Sequence, residues 1–185
     1  MKKPRIIAAL LWSDGKIIES KNFIHTNIIH YDCLIALENF NKYYIDEILL
    51  INVCKQKNKK KLFLKDLKRL SKNCFIPLAA GGWIENFNDA SNLIRSGCDR
   101  VIINSLFFKN YSEVEKIANV FGGQSVILSM DVKKIKKEYL IFVDRGTENT
   151  HYKIEKYLKR IKNLNIGEIL ITSIDNEGTN KGYNL

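Results

Sequence analysis

Asp131 is the carboxylate in this chain best placed for proton transfer. It follows the apolar run Val126-Ile127-Leu128-Ser129-Met130, and an acid at the end of a buried strand suits general acid/base work. Its plainer reading is an N-cap or a loop anchor. Gly81-Gly82 and Asn104-Ser105 close two other strand-like runs. Glycine lets backbone N–H groups approach an anion and Asn and Ser add donors, so these residues could hold a phosphate. A glycine pair also serves for tight turns alone. Thr172 and Ser173 end a further run, with Asp175 just beyond, and add hydroxyls to the same set. At the other ends of the runs stand Arg5, Glu47, Arg100 and Glu168. Four such charges either face solvent or, if they enter a core, must pair, because an isolated buried ion costs several kcal/mol.

These residues need a frame that brings strand ends together. Short apolar runs at residues 5–12, 47–53, 75–80, 100–104, 125–132 and 168–173 alternate with helix-like segments at 32–42, 63–71, 87–96, 112–121 and 153–164. Lys16-Ile17-Ile18 suits a short extension after the turn that ends the first run. Asp32 is suited to cap the first helix, and Ser112 with Glu115 has the spacing of a capping box. Ile154, Leu158 and Ile161 form a stripe on the last helix, and residues 139–143 suit a small hairpin with the strand before them. Strands apolar on both faces, each followed by a helix, describe a parallel sheet covered by helices, either doubly wound or a (β/α)₈ barrel.

An internal echo separates the two. Glu47-Ile48-Leu49-Leu50-Ile51-Asn52 returns as Glu168-Ile169-Leu170-Ile171-Thr172-Ser173, and residues 5–11 return as 125–131, both about 120 residues on. A half-barrel used twice explains both. The first strand is not followed by G-x-G-x-x-G, which also favours an α/β (β/α)₈ TIM barrel, as one domain over residues 1–185.

Composition narrows the function. The chain has 185 residues, 45% of them hydrophobic, enough for one core, and its N-terminal apolar run is too short to span a bilayer. Cys33, Cys54, Cys74 and Cys98 are widely spaced, which indicates neither a metal site nor a disulfide scaffold and fits a cytoplasmic protein without a cofactor. The net charge of +10 comes largely from residues 55–72 and 133–137, where no exposed aromatics are interleaved. That argues against nucleic-acid binding and leaves a general attraction for anionic, phosphorylated small molecules.

Taken in order, Arg5-Ile6-Ile7-Ala8, Asp14-Gly15, Asn22-Phe23, Asp46-Glu47-Ile48, Gly81-Gly82, Asn104, Asp131-Val132-Lys133 and the run 167–175 with Gly178-Thr179 and Gly182-Tyr183 resemble the cyclase subunit of imidazole glycerol phosphate synthase, the HisF-like family. The resemblance implies a (β/α)₈ barrel working with a glutaminase (HisH-like) partner at its N-terminal face. Ammonia from that partner would pass a gate of four charges, here Arg5, Glu47, Arg100 and Glu168. The family's phosphate contacts fall on Gly81, Gly82, Asn104 and Ser105, and one of its two catalytic aspartates falls on Asp131.

The chain also departs from the pattern. Leu11 replaces the other catalytic aspartate and cannot transfer a proton, Glu19 replaces a loop lysine, Asn52 an aspartate, and Trp83 the third glycine of the phosphate turn. These changes resemble the paralogous branch of surface-polysaccharide loci. There, such a subunit and its glutaminase supply ammonia to a separate enzyme that turns a sugar acetamido group into an acetamidino group. Two alternatives stand beside it: a histidine-pathway cyclase, with Asp131 acting alone or with Asp14, and a non-catalytic scaffold that activates a glutaminase. The resemblance also implies strands seven and eight, so about six βα units of an incomplete barrel are expected here.

Overall fold

The computed structural model describes residues 4–40 and 42–182; Tyr183, part of the family resemblance, lies outside them. In chain order the elements are β1 (Ile7–Ser13), β2 (Lys16–Lys21), β3 (His25–His30), α1 (Cys33–Phe40), β4 (Glu47–Asn52), α2 (Lys60–Ser71), β5 (Leu78–Gly81), α3 (Phe87–Arg95) and β6 (Arg100–Ile103). They continue as α4 (Leu106–Lys109), α5 (Tyr111–Phe121), β7 (Val126–Ile135), β8 (Glu138–Val143), β9 (Glu148–Lys153), α6 (Ile154–Ile161) and β10 (Glu168–Ser173). The class is the expected α/β, with parallel strands alternating with helices in the manner of an incomplete (β/α)₈ barrel. By their contacts the residues form two compact units.

The first unit takes in the chain up to Glu19, Asn27–Trp83 and Asn88–Ile102. Its strands run in the order β3-β2-β1-β4-β5-β6, with β1, β4, β5 and β6 parallel. Burial on both sides explains the nearly unbroken Ile, Leu and Ala content of β4, β5 and β6, whereas β1 keeps Ile7 and Ala9 exposed. Leu11, Ile51 and Gly81 are in register, and so are Trp12 and Asn52. The Trp12 ring meets Phe63 of α2 at 5.1 Å, and its indole N–H donates to the buried Asp66 carboxylate at 3.0 Å. Trp12 and Asn52 therefore lie on the helix-covered face, and Leu11, Ile51, Leu49 and Glu47 on the other, because successive side chains alternate. On α2 the positions Phe63, Leu67 and Leu70 make the buried stripe.

The second unit holds Ser20–Thr26, Ile84–Phe87 and the chain from Ile103 onward. In it β7 pairs with β10 in parallel and with β8 antiparallel, and β8 continues to β9. Residues 138–143 thus form the hairpin expected after the fifth apolar run.

The register carries the duplication further than the sequence echo does. Ile7 faces Glu47 and Leu11 faces Ile51 in one unit; Ile127 faces Glu168 and Asp131 faces Thr172 in the other. Two flanking backbone bonds repeat as well. Asp46 N–H to the Ile6 carbonyl, and Val53 N–H to that of Trp12, match Gly167 to Val126 and Ile174 to Val132 on either side of the paired strands. Each half opens with a long strand, an antiparallel hairpin, a helix and a parallel return. Among the strands, the hairpin arms β3 and β9 are the ones the sequence does not announce. β3 is largely exposed and β9 half-exposed, so neither has the apolar alternation that reveals a strand.

Two local expectations change. The α5 cap is Asn110, whose side-chain oxygen accepts the Glu113 N–H at 3.4 Å, while the Ser112 hydroxyl donates to that same oxygen at 2.8 Å. A break at Asn110 separates α4 from α5, so the cap sits two residues earlier than the S-x-x-E spacing suggests. On α6 the buried positions are Tyr157 and Ile161, and Leu158 faces outward at 40% exposure. Tyr157 takes the inner place because it packs on Phe107 and Phe108 at 4.8 and 5.4 Å.

Candidate functional site

At the N-terminal ends of the first unit's strands, Glu47 is buried between two arginines. Its carboxylate accepts from Arg5 at 3.1 Å and from Arg100 at 3.1 and 3.3 Å. Strand register explains the meeting: Glu47 opens β4 on the same face as Arg100 two strands away, and Arg5 lies just before β1. Three of the four charges expected at the floor are thus one ion cluster. Glu168 opens β10 in the second unit, at the place in the repeat that corresponds to Glu47.

At the C-terminal ends, the second unit brings Asp131, Asn104 and Ser105 together. The Asn104 amide nitrogen donates to the Asp131 carboxylate at 2.9 Å and to the Ser129 carbonyl at 3.3 Å. The Ser105 hydroxyl donates to the Asn104 side-chain oxygen at 3.3 Å and accepts the Asp144 N–H at 3.0 Å. Burial pushes the Asp131 carboxyl up to about 7, against the opposing effect of its hydrogen bonds from Asn104 and Ser129. A carboxylic acid poised near neutrality can both give and take a proton at physiological pH. Thr172 stands opposite Asp131 on the same face, whereas Ser173 faces Val132 on the other.

Tyr157 approaches this group from α6. Its phenol oxygen is buried and has no hydrogen-bond partner among the described residues, and its proton is held more tightly than usual by burial and by the nearby Asp131 charge. Asp144, Lys109 and Tyr157 were not legible as site residues, since a hairpin tip, a short helix and a helix stripe carry no motif.

The glycine turn belongs to the first unit and is tightly enclosed. A Cβ on Gly81 would lie 2.6 Å from the Ile102 carbonyl oxygen, and one on Gly82 would collide with that of Asn52, at a φ of +104°. Gly82→Ala is therefore expected to lower stability by about 3 kcal/mol in urea unfolding, since backbone must move and the dihedral is one L-residues rarely adopt. A loss under ~0.5 kcal/mol would contradict this close packing. Trp83 follows at a φ of 58°, and its indole N–H donates to the Cys54 carbonyl at 2.8 Å. That bond fixes a bulky residue where a glycine would be easier.

Of the departures from the family pattern, Asn52 proves remote from the chemistry. It points to the helix-covered side with Trp12, and its side-chain oxygen accepts the Cys54 N–H at 3.0 Å. Asp14, the candidate substitute acid, is engaged by Lys59 at 2.7 Å. Leu11 lies on the face that Asp131 occupies in the matching strand.

Burial pushes the Cys33 and Cys98 thiols up to about 11 and about 12, which makes them poor nucleophiles. Among the described residues no group of His, Cys, Asp and Glu is arranged to hold a metal ion, and no helix is long and apolar enough to cross a membrane.

Comparison with known proteins agrees with this geometry. Residues 5–185 match the family described as histidine biosynthesis protein. The imidazole glycerol phosphate synthase subunit HisF of Saccharolobus solfataricus is 34% identical over 185 residues, covering 100% of this chain and 73% of that protein. The HisF subunit of a Thermotoga species is 33% identical over 99% of this chain and 72% of its own length. A putative HisF subunit of Leptospira interrogans is 33% identical over 100% of this chain and 73% of its length. With its repeated strand registers, buried Asp131 and clustered strand-start charges, the chain belongs to the histidine biosynthesis protein family, among the HisF-like cyclase subunits.

Proposed function

We propose that this chain is a synthase-type subunit that receives ammonia from a glutaminase and supplies it for amidination in surface-sugar biosynthesis. The observation that carries the proposal is the contrast between the strand ends: the Glu47 carboxylate is paired with Arg5 and Arg100, while Leu11 takes the place of one acid/base group. A gate at the Arg5, Glu47 and Arg100 cluster retains its use in that reading, and the ring-closing chemistry does not. Further support comes from the exposed Ile6, Tyr44 and Phe75, which precede β1, β4 and β5 beside the cluster. Tyr44 is 100% and Phe75 92% exposed, the kind of aromatic surface a protein partner such as a HisH-like glutaminase covers. A phosphorylated substrate would meet Asn104, Ser105 and Thr172 beside Asp131 in the second unit. A sugar-amidating enzyme would take the ammonia onward.

A second reading, a histidine-pathway cyclase, is favoured by one observation, the buried Asp131 held near neutrality. Complementation of a histidine auxotroph by the gene separates the two. No growth is expected, together with ammonia-dependent turnover of the aminocarboxamide ribonucleotide precursor at background, because loss of one acid/base group typically lowers rate by roughly 10²–10⁴-fold. Growth would overturn the amidination reading.

A further inference from the structure

Four groups of the second unit form one directed chain of hydrogen bonds. The Asp144 backbone N–H donates to the Ser105 hydroxyl oxygen at 3.0 Å, the Ser105 O–H donates to the Asn104 side-chain oxygen at 3.3 Å, and the Asn104 amide donates to Asp131 at 2.9 Å. The order leaves little freedom: with its oxygen taken by Ser105, the Asn104 amide must present its nitrogen to Asp131 and to the Ser129 carbonyl. Asp144 is itself held in place. It adopts a φ of 49°, its carboxylate accepts from Lys109 at 2.9 and 3.1 Å, and its carbonyl accepts from the Thr147 hydroxyl at 2.7 Å. Arg145 and Gly146, next in the same turn, are left-handed too. A strained tip persists only where its surroundings hold it, and here α4 supplies the Lys109 clamp.

We propose that Ser105 is a positioning residue that ties the tip of the β8–β9 hairpin to the Asp131 carboxylate through Asn104, so that an oxyanion accepting from the Ser105 hydroxyl loosens the Asn104 grip on Asp131. The inference rests on the proposed function only in taking a phosphorylated substrate beside Asn104 and Ser105; use of Asp131 as the acid/base group belongs to the second reading. It adds a direction: a phosphate oxygen that accepts from Ser105 takes the hydroxyl proton away from the Asn104 oxygen, and the amide is then free to turn. Hydrogen bonds in such a chain polarise one another, so losing one weakens the next. Phosphate arrival and readiness for proton transfer become one event.

The other charged or titratable groups around Asp131 come from three elements. α6 brings Tyr157, with Arg160 beside it, and at the other end of the chain of bonds Asp144 meets Glu148 of the hairpin and Lys109 of α4. None of them lies between Ser105 and Asn104, which are adjacent in sequence.

The test is titration of the Asp131 side-chain carboxyl by carbon-13 NMR in the intact protein, a readout independent of turnover. Ser105→Ala is expected to raise its midpoint by roughly half a pH unit or more, since Asn104 stabilises the ionised form. Ser105→Thr keeps the hydroxyl and should restore the original midpoint. Lys109→Ala, at a position whose side chain is 55% exposed, should shift it the same way by less. Saturating inorganic phosphate should move the wild-type midpoint and leave that of Ser105→Ala unmoved. A midpoint equal to wild type in both Ser105→Ala and Lys109→Ala overturns the proposal, as does an equal phosphate response in wild type and Ser105→Ala. If Ser105→Ala does not fold, the Lys109→Ala result decides alone. Complementation of the auxotroph would overturn the amidination reading and leave this titration unaffected.

Discussion

Asp131→Asn is expected to stabilise the protein at pH 8 by about 3 kcal/mol and to leave its stability at low pH nearly unchanged. The folded carboxyl is raised from an ordinary 3.8 to about 7 by burial. Between those values the folded state keeps a proton that the unfolded chain has released, so this group's contribution to stability is greatest below about pH 4, falls as pH rises, and levels off above about 7. Each tenfold change in proton affinity is worth about 1.4 kcal/mol, and the figure of about 3 kcal/mol allows for relaxation around the ionised group. An asparagine has no charge to desolvate, and its oxygen can still accept from Asn104. Urea unfolding of both proteins at pH 5 and pH 8 checks it. Parallel pH dependence in the two would mean that the Asp131 carboxylate is not penalised by its site. The same variant should lose whatever proton transfer the site performs, a gain in stability at the expense of function that is common where a buried acid is kept for chemistry.

Glu47→Ala is the opposite case. Its side chain is 2% exposed and that of Arg100 14%, so the substitution removes the two hydrogen bonds that Glu47 accepts from a guanidinium with little access to water. Breaking one side of a buried pair typically costs about 3–5 kcal/mol. Arg5, whose side chain is 47% exposed, adds little because water screens it. Replacing both members, as Glu47→Leu with Arg100→Met, should recover most of the loss, since two apolar side chains need no partners. A double-mutant cycle by urea unfolding measures the difference. A loss below about 1 kcal/mol in Glu47→Ala would show that the arginines are solvated without it. Uncoupling of glutaminase and synthase activities in the double variant, at recovered stability, would assign the charges to ammonia passage.

Sequence and tertiary structure divide the protein between them along a physical line. Apolar runs that alternate with amphipathic helices are a one-dimensional signal, and they placed all six parallel strands, with the strand at Glu168–Ser173 found at its full extent. The echo about 120 residues on held because two halves that pair strands in the same register need the same residues on the same face. Arg5, Glu47 and Arg100 were legible because charges at strand starts must pair once buried. β3 and β9 were not, because exposed hairpin arms gain nothing from an apolar pattern. In the linear chain Asn52 has the look of a site change, and only the strand register turns it to the helix side with Trp12. The proton affinity of Asp131, the clamp of Lys109 on Asp144 and the inner position of Tyr157 were decided only by the fold. Each depends on how much water is excluded and on which donor reaches which acceptor, and those are properties of distances between residues that are far apart along the chain.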